Sequence, residues 1–91
     1  MTYSRTDWNQ SAIVEALRAA GASVFITSGV RHGFPDLVVG FDNGNEKRTY
    51  LLEVKAPDAK LTDDELLFMR KWCGDYHVVR SPEEAVRIIG R

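Results

Sequence analysis

The chain has 91 residues, 44% of them apolar, and a formal net charge of −1. That length supports a single domain, 1–91, with one core and little apolar surplus, which excludes two independently packed domains. The near-neutral balance argues against a protein that coats nucleic acid, though it leaves room for an enzyme with a locally basic face.

Cys73 is the one cysteine, so a disulfide framework and a cysteine-rich zinc site are both excluded. It reads as a small buried hydrophobe within a helix. No apolar stretch approaches the roughly 20 residues needed to cross a bilayer, and no signal-peptide core stands at the amino terminus. The expectation is a cytoplasmic protein without a membrane segment.

The first helix is predicted from about Asp7 to Ala20, capped by Thr6, with Ile13, Val14 and Leu17 as its apolar stripe and Gly21 as its stop. Val24 to Thr27 reads as a strand, and the polar stretch Ser28 to Gly33 as a loop. Asp36 to Gly40 is the second strand. Asp42-Asn43-Gly44-Asn45 is a turn signal that joins it as a hairpin to a third strand, about Arg48 to Lys55, which Pro57 prevents from continuing.

The second helix has the clearest start. Thr62 is its cap, Glu65 the reciprocal capping-box residue, and Leu61 with Leu66 a hydrophobic staple; the helix runs to Gly74. Tyr76 to Val79 is the fourth strand. Ser81-Pro82-Glu83-Glu84 opens a last helix with a cap, a first-position proline and a capping-box glutamate, and Gly90 closes it. The order α-β-β-β-α-β-α describes an α/β fold, a small mixed β-sheet flanked by helices.

Chemistry concentrates in the two central strands. Asp36 precedes Glu53 by seventeen residues, and Glu53 and Lys55, two apart, share one face of a strand otherwise built from Leu51, Leu52 and Val54. A favourable hairpin register brings Asp36 beside Glu53. Two carboxylates sharing a site repel each other, and a divalent cation stabilises both. Oxygen ligation of that kind, with the Val54 carbonyl as a further candidate ligand, suits magnesium or manganese better than zinc. Lys55 is then placed to orient water or to stabilise charge on a phosphate. Either motif alone also occurs as a turn or a surface ion pair.

The segments Gly33-Phe34-Pro35-Asp36-Leu37-Val38, Leu52-Glu53-Val54-Lys55-Ala56-Pro57 and Lys60-Leu61-Thr62-Asp63-Asp64-Glu65, followed by Gly74 to Glu84, resemble the successive motifs of the virus-type replication-repair nuclease domain. That domain belongs to the PD-(D/E)xK nuclease superfamily. The resemblance covers nearly the whole chain and implies a restriction-endonuclease-like fold. It further implies a DNA endonuclease dependent on Mg2+ or Mn2+, with branched or otherwise structured DNA among its candidate substrates. Asp36 and Glu53 would be metal ligands and Lys55 the catalytic lysine. Stand-alone members occur in phages and bacteria and tend to form homodimers, so the expected setting is a bacterial or phage-infected cell, with a replication or repair protein as a candidate partner.

Two positions depart from that pattern. Where the family commonly has glutamine, this chain has Glu65, which the capping box already explains. Members also carry a glutamate early in the first helix; here the candidates are Asp7 as a metal ligand, Gln10 as a catalytic group on the Val14 and Leu17 side, and Glu15, whose phase points elsewhere and suits pairing with Arg18. Arg31, His32, Lys60 and Ser28 bracket the site as candidate DNA-phosphate contacts, which position a duplex without reading its sequence. His77 reads as structural, and Trp8, Phe68, Met69 and Trp72 as packing or subunit-contact residues. A DNA-binding or assembly module with weakened chemistry, and a nuclease that needs a partner for substrate choice, are the competing readings.

Overall fold

A computed structural model describes residues 5–90, with side chains described from Trp8 onward. Helix α1 spans Arg5–Ala19, strand β1 Ser23–Ile26, β2 Leu37–Asp42, β3 Lys47–Val54, helix α2 Asp63–Lys71, strand β4 Tyr76–Val79 and helix α3 Pro82–Ile88. The expected α-β-β-β-α-β-α order is the observed one. Because α1 begins at Arg5, Thr6 lies within the helix and is not its cap.

One four-stranded sheet runs in the order β1-β2-β3-β4. The first three strands form an antiparallel meander, and α2 carries the chain across to β4, which pairs parallel to β3. The β2–β3 turn is built locally: the Asp42 carboxylate accepts from the Gly44 N–H at 2.9 Å, and Asn43 Oδ1 accepts from Asn45 and Glu46. Gly44 takes the positive φ of 95° that the turn requires.

Alternation along the strands sorts the two faces. Val24, Leu37, Val39, Tyr50, Leu52, Val54 and Val79 join Ile13, Val14 and Leu17 of α1, Ala85 of α3 and Ile89 at its end in one core. Burying each leucine or isoleucine there stabilises the fold by about 1.5–3 kcal/mol. The alternate residues Leu51, Glu53, Tyr76 and Val78 point to the face under α2. None of the residues of α2 is fully buried. It sits against the sheet through an aromatic run in which the Phe68 ring lies 5.4 Å from Phe34, 5.4 Å from Trp72 and 5.9 Å from Tyr76.

The helix starts behave largely as their sequences require. Thr62 Oγ1 accepts from the Glu65 N–H at 3.2 Å, and Glu65 Oε1 accepts from the Thr62 N–H at 2.8 Å, completing the capping box of α2. Ser81 caps α3 by accepting from Glu84 N–H, with Pro82 in the first turn. The Glu84 carboxylate reaches one residue further back than the standard box and accepts from the Arg80 N–H at 2.6 Å. Cys73 departs from expectation. Helix α2 ends at Lys71 with Trp72 in an extended conformation, so Cys73 falls in the turn before β4 and is exposed. Among the described residues no helix is long and apolar enough to cross a membrane.

Candidate active site

Register explains why the acids meet. Leu37 pairs with Leu52 across the β2–β3 ladder. One step further along each strand places Asp36 opposite Glu53, on the face beneath α2. Asp36 is anchored there: its Oδ2 accepts from the Val54 N–H at 2.9 Å, and its carbonyl accepts from Thr27 N–H at 2.7 Å. Thr27 also donates its hydroxyl to the Pro35 carbonyl at 2.8 Å, tying the end of β1 to the Pro-Asp segment.

Glu53 is 2% exposed, the one charged residue that is buried among the described residues. Its Oε1 is buried without a hydrogen-bond partner. Burial, then the neighbouring Asp36 and Glu65 carboxylates, push its carboxyl up to about 9. Lys55 Nζ stands 3.7 Å from Glu53 Oε2 and 2.7 Å from Glu65 Oε1. Burial works against the charged form of Glu65, but the Lys55 ammonium and the Thr62 N–H outweigh it and hold that carboxyl below its usual range. The Tyr76 hydroxyl is buried on the same face, also without a hydrogen-bond partner. Its phenol is pushed up to about 12 by burial and by the negative field of Glu53, Glu65 and Asp36. The site thus gathers Asp36, Glu53, Lys55, Glu65 and Tyr76.

The two flanking loops are fixed by contacts that sequence reasoning missed. Asn9 of α1 donates through Nδ2 to the carbonyls of Lys55 and Arg80, both at 3.0 Å, clamping the ends of β3 and β4 together. Arg80 Nη1 donates to the carbonyls of Ala56 at 2.8 Å and Ala59 at 2.7 Å, bracing the loop that carries Lys60. On the other side, His32 and Gly33 both adopt positive φ, 65° and 76°. A side chain at Gly33 would collide with the Asp64 carbonyl and the Glu65 nitrogen, so the loop before Asp36 lies directly against the first turn of α2. Single polar residues such as Asn9 and Arg80 carry no periodic signal. Only the approach of distant segments gives them partners.

The remaining candidates are distributed around this centre. Arg31, His32, Ser28 and Lys60 are exposed on the bracketing loops. Gln10 Oε1 accepts a hydrogen bond from the Ser28 hydroxyl at 3.1 Å, which engages its amide with the loop after β1. Glu15 lines one groove with Gln10, Ser11, Val14, Arg18 and Ile26, and Arg18 donates to the Val24 carbonyl. The Asp7 side chain lies outside the described residues. Val54 directs its side chain into the core and its N–H to Asp36, which leaves its main chain between Glu53 and Lys55.

Among the described residues, no group of three or more His, Cys, Asp and Glu side chains is arranged as a ready metal cage. The donor set nevertheless fits a hard cation. It offers two facing carboxylates, one with a buried orphaned oxygen, and a high carboxyl pKa that an adjacent positive charge would relieve.

Residues 1–81 match the VRR-NUC domain family. The chain belongs to the VRR-NUC family. A solved structure named "VRR_NUC domain" superposes with a TM-score of 0.73 at 26% identity, covering 96% of this chain and 96% of that one. No curated protein matches the chain. The motif resemblance and the restriction-endonuclease-like fold read from the sequence are therefore the family's own, within the PD-(D/E)xK nuclease superfamily.

Proposed function

We propose that this VRR-NUC domain is a divalent-metal-dependent DNA endonuclease that hydrolyses phosphodiester bonds, with branched or otherwise structured DNA as its candidate substrate. The observation that carries the reading is Glu53: a fully buried carboxylate facing Asp36, with one oxygen unpartnered and Lys55 two residues along the same strand. Asp36, Glu53 and the Val54 carbonyl would hold Mg2+ or Mn2+. When bound, the ion supplies charge neutralisation at the phosphate and a lowered pKa for water.

Every other contribution comes from the chain. The Val54 N–H anchors Asp36 Oδ2 at 2.9 Å, which holds that carboxylate in place before any ion binds. Lys55, whose side chain is 13% exposed, orients the attacking water or stabilises charge on the scissile phosphate. Arg31, His32, Lys60 and Ser28 hold the backbone on either side, and a two-fold homodimer widens the duplex footprint. Asp7 and Gln10 are the candidates for the contribution that other members draw from a first-helix glutamate.

The engagement of Gln10 with Ser28 favours a second reading, a DNA-binding or assembly module whose chemistry is weakened or depends on a replication or repair partner. One experiment separates the two. Purified protein is incubated with linear, nicked and branched DNA, with and without Mg2+ or Mn2+, alongside the Glu53→Gln and Lys55→Ala variants. The nuclease reading requires cation-dependent cutting that both variants lose while staying folded. Binding without cutting supports the second reading, and equal cutting by both variants overturns the assignment of the site.

A further inference from the structure

Glu65 carries more than the helix start that its sequence position explains. A single carboxylate oxygen, Oε1, accepts from the Thr62 N–H at 2.8 Å and lies 2.7 Å from Lys55 Nζ. The lysine is therefore an ångström closer to α2 than to Glu53, its neighbour on β3. Glu65 is itself held in place from three directions. Its backbone N–H is bound by Thr62 Oγ1, its side chain by the Thr62 N–H, and its nitrogen abuts Gly33 of the loop leading to Asp36.

We infer that Glu65 is a positioning residue of the nuclease site, which holds the Lys55 ammonium at the first turn of α2. The inference rests on Lys55 being the catalytic lysine. A lysine side chain has four rotatable carbons and a compact charge, so unheld it would sample many placements. Left to its nearest carboxyl on β3 it would lie against Glu53 and occupy the space a cation needs. The bond to Glu65 draws it aside, and Glu53 Oε1 keeps no hydrogen-bond partner. A glutamine here keeps the cap and a neutral acceptor, since either residue completes a capping box. Only the carboxylate adds the charge-assisted bond to the lysine.

A capping role and a positioning role separate in three variants. Thr62→Ala removes the cap acceptor and leaves the Lys55–Glu65 pair; Glu65→Ala removes both; Glu65→Gln keeps the cap and weakens the pair. Glu65→Ala should lower kcat by about ten- to a hundredfold, the fold-change equivalent of a charge-assisted hydrogen bond, with KM for DNA unchanged. Glu65→Gln should recover part of that loss. Thr62→Ala should melt at a lower temperature yet keep its kcat wherever it is folded.

Nitrogen-15 relaxation of the Lys55 ammonium gives a readout that needs no catalysis. It should be restrained in the unaltered protein and in Thr62→Ala, and mobile in Glu65→Ala. If the unaltered protein cuts no DNA, the nuclease reading falls while lysine mobility still decides whether Glu65 positions it. If Glu65→Ala does not fold, the unaltered protein and Glu65→Gln carry the comparison. Equal loss of kcat in Thr62→Ala and Glu65→Ala, or a freely mobile Lys55 in the unaltered protein, would overturn the inference.

Discussion

Strand β3 has two faces that are equally sheltered and energetically opposed. Toward α1 and α3 it presents Tyr50, Leu52 and Val54, and Leu52 is 0% exposed; toward α2 it presents Leu51 and Glu53, with Lys55 just past its end, and Glu53 is 2% exposed. Burial of Leu52 removes apolar surface from water and stabilises the chain. The same degree of burial at Glu53 strips a carboxylate of its hydration, and crowding by Asp36 and Glu65 adds to the cost. The first face is organised for stability. The second holds unfavourable electrostatics that a cation would relieve, as the proposed metal site requires.

The largest expected effect that sharpens this contrast is on activity. Lys55→Ala should cut cleavage by about 10²–10⁴-fold, and Glu53→Gln should bring it below detection, both followed with a nicked or branched substrate. Glu53→Gln should at the same time raise the melting temperature at neutral pH, because it removes a buried ionisable group. A variant that lost stability in step with activity would make Glu53 an ordinary structural residue.

On the opposite face the effect should be purely structural. Leu52→Ala is expected to cost about 2–5 kcal/mol in denaturant unfolding, with cleavage by the remaining folded fraction unchanged. Gly33→Ala comes next: the positive φ alone costs about 1–2 kcal/mol, and the collision with Asp64 should displace the first turn of α2 and reduce activity as well. Full activity in that variant would show that the loop and α2 are not coupled.

The smallest effect is a slope with pH. The folded-state pKa of Glu53 lies above the ordinary value of 4.5, so the folded chain binds that proton more tightly than the unfolded one. Its contribution is complete below about pH 4.5 and is lost as the pH rises toward about 9. Glu65, whose carboxyl is held low, has the opposite sign: it stabilises above about pH 4.5, and that contribution is lost as the pH falls through its lowered folded value. Metal-free protein should therefore melt progressively lower between about pH 5 and pH 9, and Mg2+ or Mn2+ should raise the melting temperature more at the alkaline end. Thermal melts of Glu53→Gln should lose most of that slope. A flat profile in the unaltered protein would contradict the buried, crowded state of Glu53.

Local rules were enough to read the elements. The Thr62/Glu65 and Ser81/Pro82 starts, the Asn43-Gly44 turn and the alternation of Leu52, Glu53, Val54 and Lys55 are interactions between residues a few positions apart, and such interactions survive in any tertiary setting. The motif order carried the family, and with it the assignment of Asp36, Glu53 and Lys55 to one place. What only the tertiary structure decided depends on residues distant in the chain. The β2–β3 register set Asp36 against Glu53, and the crossover through α2 delivered Glu65 to Lys55. Asn9 and Arg80 found their carbonyl partners 46 and 21 residues away. The early end of α2 put Cys73 at the surface. A capping box is a property of four consecutive residues, so the sequence could show that Glu65 starts a helix. That the same carboxylate oxygen also receives the lysine follows only once the sheet has brought β3 beneath that helix.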